Sequence, residues 1–383
     1  MAVNSGLNIE QRLNDLWKAE DSKNLVRACL FNLIIVSQKK EQSNYFQDLI
    51  KGVVGRFPCR IIFITYDTAS NEGKLDVNVR AEMVGATGLK IACELIEIQV
   101  SGMEEEKKIP FLILPNIVPD LPVYLLWTQD PSKSAELLSF LKNYISKVIF
   151  DAEGALNLKS FSQGVLDLVQ KYSISVGDIN WTALKGWRKI IASLFSEKEC
   201  LVQLSRMKLI KIHYNVIASK LLKHNEREAI YLQAWIAAQL KCQFESYEVN
   251  EGNIRIGYQR PLLPTTFLLI PEENTNHEPG SILSIEFESA QDRAHFVLKR
   301  GPEKMLGSNE PSRQVFVHSS TADYCNVPYC LYLPQRQISS DLIEEIFLKE
   351  SSQHYMNMLK KLSEINFNNK MEFQKKSNSE IGS

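Results

Sequence analysis

The stretch VPDLPVYLLW, residues 118–127, sets Pro119 and Pro122 around Asp120 and then runs through four apolar or aromatic residues into Trp127. Each proline fixes its own φ near −65° and pushes the residue before it into an extended conformation. The segment therefore predicts a stiff, bent approach to a strand, with Asp120 capping or pairing locally and Trp127 closing a core. An apolar run without polar alternation suits a strand covered on both faces, as in an α/β sheet.

Neighbouring segments fit that sheet. Downstream, SAELLSFLKNYI aligns Leu137, Leu138, Leu141 and Ile145 on one helical stripe, and KVIFDA is a further short buried strand. Upstream, VRACLFNLIIV (26–36) reads as one central strand, YFQDLIKGVV as a helix and CRIIFITYD as a second buried strand. Such a βαβ unit takes a right-handed crossover. DVNVRAEM (76–83) alternates with period two and ELIEIQV does so less cleanly, which predicts half-exposed antiparallel strands near an edge. The amphipathic IEQRLNDLWKAE adds a helix in front. The expectation is an α/β domain over residues 1–172, a mixed sheet with flanking helices.

KYSISVGD then reads as a polar link. Beyond it DINWTALKGWRKIIASLF places Trp181, Leu184, Trp187, Ile191, Leu194 and Phe195 at helical steps with Asp178 as cap, and EAIYLQAWIAAQLK is a second strong helix. FESYEVNEGNIRIGYQ predicts a hairpin turning near Gly252. SILSIEFES, AHFVLKR and RQVFVHSS are strand-like, and residues 340–365 return to helix. An α+β domain over 173–365, helices on a mainly antiparallel sheet, follows, with 366–383 a polar, disordered tail.

Composition narrows the function classes. A chain of 383 residues with 44% apolar content can fill two cores. Lys plus Arg numbers 44 against 45 for Asp plus Glu, a net charge of −1, which gives nucleic acid or anionic lipid no overall attraction. The N-terminus has no secretory pattern, and no window reaches the ~20 apolar residues of a membrane span. The expectation is a soluble cytoplasmic protein. Seven scattered cysteines include no C-x-x-C pairing. Cys29, Cys59 and Cys93 lie in apolar runs as small hydrophobes, and Cys325 and Cys330 in CNVPYC are either free thiols or a redox pair.

No catalytic constellation stands out. G-x-G-x-x-G, G-x-x-x-x-G-K-[ST] and G-x-S-x-G are absent, and GATGLK (85–90) joins two edge-like strands as a turn. The six histidines lie far apart, without metal-ligand spacing, and all six fall in the second half. No catalytic residue, cofactor or metal is therefore assigned. One enzyme-like alternative stays open: ligands of open α/β sheets bind beyond the carboxyl ends of the strands. Asp67, Asp130 and Asp151 would stand there as a carboxylate site.

Taken in order, RFPCRIIFI, VPDLPVYLLW, KVIFDA, DINWTALKGWRKIIASLF and EAIYLQAWIAAQLK resemble the OpcA family of glucose-6-phosphate dehydrogenase assembly proteins. The most specific element is D-x-x-W-x-x-x-x-x-W-R, here Asp178, Trp181, Trp187 and Arg188. Two departures stand out: Leu126 replaces one tryptophan of a pair, and AWIAAQL lacks a glycine before its tryptophan. The resemblance implies a non-enzymatic factor that binds glucose-6-phosphate dehydrogenase and favours its active oligomer in the oxidative pentose phosphate pathway. It makes Asp178, Trp181, Trp187 and Arg188 candidates for partner binding, since Trp and Arg anchor interfaces.

Overall fold

The apolar runs of the first half assemble into one sheet in the computed structural model. It describes residues 9–367 apart from 21–24, 38–42, 68–72, 85–89, 132–134, 220–221, 223, 290–293, 302–312, 322–324, 326 and 335–336. The chain divides into two units. One comprises Met1–Leu156, Asp167–Thr182 and Gln337–Ser351; the other comprises Asn157–Leu166, Ala183–Arg336 and Ser352–Ser383. This is the expected pairing of an α/β with an α+β architecture.

The first unit contains β1 (Leu25–Arg27), β2 (Asn32–Ser37), β3 (Arg60–Asp67), β4 (Lys74–Val84), β5 (Lys90–Ser101), β6 (Val123–Trp127), β7 (Lys147–Phe150) and β8 (Ser175–Asp178). Their order is β1-β5-β3-β2-β6-β7-β8, with β4 added on β5. Every pair along that path is parallel, and β4 runs antiparallel to β5. From β5 to β8 this is the doubly wound order, with the switch point between β2 and β6. The helices include α1 (Ile9–Glu20), α2 (Ser43–Val54), α3 (Met103–Glu106), α4 (Ile109–Ile113), α5 (Ala135–Leu141), the last residues of α6 (Leu158–Tyr172), α7 (Ile179–Ala183) and, from late in the chain, α11 (Ile338–Phe347). α2 and α11 bury Phe46, Leu49, Ile50, Leu342 and Ile346 against Leu33, Ile35, Ile61 and Phe63 of the sheet.

Three local expectations change. The single strand over 26–36 is two, because residues 28–31 break away to form a bend. β5 is interior, between β4 on one side and β1 and β3 on the other, because its apolar residues Leu95, Ile96 and Ile98 are covered on both faces. Part of the stretch read as a link is β8, whose Val176 is fully buried.

VPDLPVYLLW does steer a strand. Asp120 takes φ 65, a left-handed turn position that Asp tolerates better than most residues. The fully buried Asn32 pins the approach: its Oδ1 accepts from the Val118 amide at 2.8 Å and its Nδ2 donates to the Val118 carbonyl at 3.0 Å. Trp127 is 1% exposed.

In the second unit, α8 (Lys185–Leu194), α9 (Lys198–Ser205), α10 (Arg227–Gln239) and α12 (Gln353–Glu364) accompany an eight-stranded sheet. Its strands are β9 (Met207–Asn215), β10 (Gln243–Asn250), β11 (Asn253–Gln259), β12 (Thr265–Glu272), β13 (Ile282–Ser289), β14 (His295–Arg300), β15 (Gln314–Ser320) and β16 (Tyr329–Tyr332). The order is β10-β11-β12-β9-β13-β14-β15-β16, antiparallel except where β12 meets β9. Glu251 and Gly252 both have positive φ, 50 and 82, which makes the expected hairpin turn the two-residue kind that matches strand twist. The helix expected over 178–195 is instead α7 followed by α8, interrupted at Leu184. GATGLK, apart from Lys90, and the tail from 368 onward lie outside the described residues.

Candidate functional site

A doubly wound sheet offers its carboxyl edge to ligands, so the side chains at those strand ends are decisive. Here they are Asp67 on β3, Thr128, Gln129 and Asp130 after β6, Asp151 after β7 and Asp178 closing β8. Asp151 is 6% exposed and fully engaged: Oδ1 accepts from Asn180 Nδ2 at 3.0 Å and from the Glu153 amide at 3.0 Å, and Oδ2 accepts the Tyr45 hydroxyl at 3.3 Å. Asp178 caps α7, accepting from the amides of Asn180 at 2.7 Å and Trp181 at 3.1 Å. Thr128 donates its hydroxyl to the Val36 carbonyl at 3.0 Å. A Cβ on Gly154 would lie 1.8 Å from the Thr128 carbonyl oxygen, so the turn after β7 is pressed onto the end of β6.

Asp130 and Asp151 follow adjacent strands, but β2 lies between β3 and β6. At about 4.8 Å per strand, Asp67 stands about 10 Å across the sheet from the end of β6. It lines a depression with Thr65, Lys74, Gln99 and Ser101 whose volume is about 40 Å³. A metabolite pocket needs upward of ~300 Å³. The segment between β2 and α2, QKKEQ (38–42), also lacks the glycines that let a backbone cradle phosphate.

A second polar cluster was hidden from sequence spacing and is made by strand register. Alternation on the second unit's sheet turns Ile210, Ile212, Ile285, Phe287 and Phe296 to the buried side and Lys211, His213, Glu286, Glu288 and His295 to the opposite face. Glu286 pairs across to Lys211 and Glu288 to His295. The Lys211 ammonium reaches Glu288 at 2.5 Å and Glu286 at 3.6 Å. Its hydrogen bond to Glu288 raises the lysine pKa above the ordinary value.

The cysteines are all free. Burial pushes the Cys59 and Cys93 thiols upward, which disfavours the reactive thiolate. Cys325 is exposed and Cys330 half-buried on β16.

With this geometry in hand, comparison with known proteins gives two family matches. Residues 51–164 match the model of a glucose-6-phosphate dehydrogenase subunit N-terminal domain, and residues 174–359 match that of the same subunit's C-terminal domain. The chain belongs to the OpcA family. An OxPP cycle protein OpcA from Synechocystis sp. is 23% identical over 251 residues, covering 62% of this chain and 50% of the relative. The OpcA of Nostoc punctiforme is 25% identical over 203 residues, covering 52% of this chain and 42% of the relative. The chain spans about half the length of the curated relatives it matches. Among solved structures, the oxidoreductase yhhX aligns with 8% identity and a TM-score of 0.47 over 87% of this chain and 95% of its own.

In this OpcA-family chain the tryptophan motif is divided between the units. Asp178 and Trp181 lie in the first and Trp187 and Arg188 in the second. Both indoles are 3% exposed, whereas Arg188 is half-buried. A Cβ on Gly186 would sit 2.8 Å from Leu333 and Pro334, so α8 packs closely on that segment. No helix of the described residues is long and apolar enough to cross a membrane.

Proposed function

We propose that this chain is a non-enzymatic factor that docks on glucose-6-phosphate dehydrogenase and favours its active oligomer. The observation that carries the reading is the pair of matches at 51–164 and 174–359, both to parts of a glucose-6-phosphate dehydrogenase subunit. The OxPP cycle named in its relatives supports the oxidative pentose phosphate pathway as the setting. The carboxyl edge agrees with a binding role, because the Asp151 and Asp178 carboxylates are occupied by the chain's own donors.

Such a factor acts through its difference in affinity for two states of the partner. A coupling of ~1 to 3 kcal/mol changes an equilibrium roughly 5- to 150-fold. An interface of about 800 Å² per side is ample for it. The test is to mix the purified chain with glucose-6-phosphate dehydrogenase from the same organism and follow oligomer size and activity together. A shift of the dehydrogenase to a larger, more active species is expected; no complex and unchanged activity would remove the reading.

A second reading, a ligand-binding or enzymatic carboxylate site, is favoured by the doubly wound strand order that sets Asp67, Asp130 and Asp151 along one edge. It requires that changing all three to Asn abolish binding of a small molecule or metal by a folded chain.

A further inference from the structure

We infer that the outer face of the second unit's sheet carries a divalent transition-metal site formed by Glu286, Glu288 and His295, with His213 and Glu272 supporting it. One ligand atom from each of Glu286, Glu288 and His295 lies within 4.8 Å of the other two. Ligands about 2.1 Å from a tetrahedral ion are about 3.4 Å apart, so modest side-chain rotation closes the triad on a metal.

The two imidazoles give independent support. His213 Nδ1 is held by Glu272 Oε1, an acceptor, so that nitrogen carries the proton and Nε2 of the neutral ring is left with a bare lone pair. That Nε2 is buried, has no hydrogen-bond partner among the described residues, and faces Glu286 Oε1 at 3.9 Å. From the other side, His295 Nε2 is likewise buried without a partner and faces Glu286 Oε2 at 3.9 Å. Both separations exceed a hydrogen bond. With the proton of the neutral His213 ring on Nδ1, the lone pair of its Nε2 opposes a carboxylate oxygen, and a cation between them converts that repulsion into two bonds.

Charge and ligand type point the same way. Three carboxylates, Glu272, Glu286 and Glu288, stand against the one ammonium of Lys211, a surplus of negative charge that a dication offsets. The next cation on β14, Lys299, is exposed and pairs across to Ser284, away from the triad. Imidazole with carboxylate suits Zn²⁺, Co²⁺ or Ni²⁺ better than Ca²⁺ or Mg²⁺. A carboxylate that fixes the tautomer of a neighbouring histidine, as Glu272 does for His213, is the usual outer support of such sites. Lys211 is the built-in competitor: its ammonium sits in the same negative potential, and metal entry displaces it.

The site is independent of docking on the dehydrogenase, and its test needs no partner. Full-length, tag-free chain, stripped with chelator, is titrated with Zn²⁺ by calorimetry and with Co²⁺ by visible absorption. One equivalent per chain with a tetrahedral Co²⁺ spectrum is expected. His295→Ala and Glu286→Gln weaken binding about tenfold or more, whereas Lys211→Met tightens it, an effect that misfolding cannot mimic. Absence of binding by the wild-type chain overturns the inference. So does His295→Ala binding like wild type, or Lys211→Met failing to bind more tightly; a proton alone then fills the gap.

Discussion

Lys147 is a charged residue with 1% exposure at the first position of an otherwise apolar strand. Its ammonium has three donors and uses them all, on the Glu345 carbonyl at 2.8 Å, Glu345 Oε2 at 2.7 Å and the Leu348 carbonyl at 3.0 Å. Thr182 donates its hydroxyl to the other Glu345 oxygen. The pair fastens the late segment that contains α11 to the first unit's sheet. Gly177 makes room for it, since a Cβ there would lie 2.0 Å from Glu345 Oε2. Removing one partner of a buried pair leaves an orphaned charge, which typically costs ~3 to 5 kcal/mol, whereas an apolar replacement of both costs far less. Glu345→Gln is therefore expected to lower the urea midpoint by the equivalent of about 3 kcal/mol, with Lys147→Met/Glu345→Leu losing less than the single change. A Glu345→Gln protein as stable as wild type would show that the pair contributes nothing. Nothing in KVIFDA announced this role, because a lysine at the start of a strand reads as solvent-facing until its partner, 198 residues away, is placed beside it.

At the scale of elements, legibility followed the clarity of the hydrophobic period. β4 and the hairpin of β10 and β11 carry unbroken alternation and were readable. β12 was not, because TTFLLIPE follows Pro261 and Pro264 and contains Pro271, a residue that argues against a central strand. β9 alternates cleanly, Ile210, Ile212 and Tyr214 inward and Lys211 and His213 outward, so its signal was present and unused. The loop joining β12 to β13 depends on the fully buried Asn215 at the end of β9, whose Nδ2 donates to the carbonyls of Asn274, His277 and Glu278. His277 lies in that loop, and burial, helped by the nearby positive charge of Arg300, lowers its pKa from 6.5 to about 4. The folded state thus prefers the neutral ring. Above pH 6.5 the ring is neutral in both states and stability is whole; between pH 6.5 and about 4 the unfolded chain takes up a proton that the folded one refuses. Stability must fall as pH falls through that window, and His277→Gln must remove its share of the loss. Urea midpoints at about pH 7 and about pH 4.5 measure it; equal pH slopes in the two proteins would contradict the assignment.

For the whole molecule, the family was legible from a few ordered motifs, while a surface for the proposed partner was not, because burial consumes the residues that made the motifs specific. Trp181 and Trp187 are each 3% exposed, so as the chain stands they build its interior and offer a partner little area. Arg188, half-buried, is the most exposed member of the motif, on a helix held from behind by Trp187, Ile190 and Ile191. Guanidinium groups on rigid helices are effective interface anchors, since little freedom is lost when they bind. If the motif serves docking on glucose-6-phosphate dehydrogenase, Arg188→Ala should weaken the complex formed by the folded chain about tenfold, equivalent to ~1.4 kcal/mol. Asp151→Asn should do the opposite, lowering stability through its lost hydrogen bonds while the chain that remains folded binds normally. Affinity measured by fluorescence anisotropy on both variants, beside their urea curves, separates the two roles. Normal binding by Arg188→Ala would move the docking surface off α8, and a folded Asp151→Asn chain unable to bind would return attention to the carboxyl edge of the sheet.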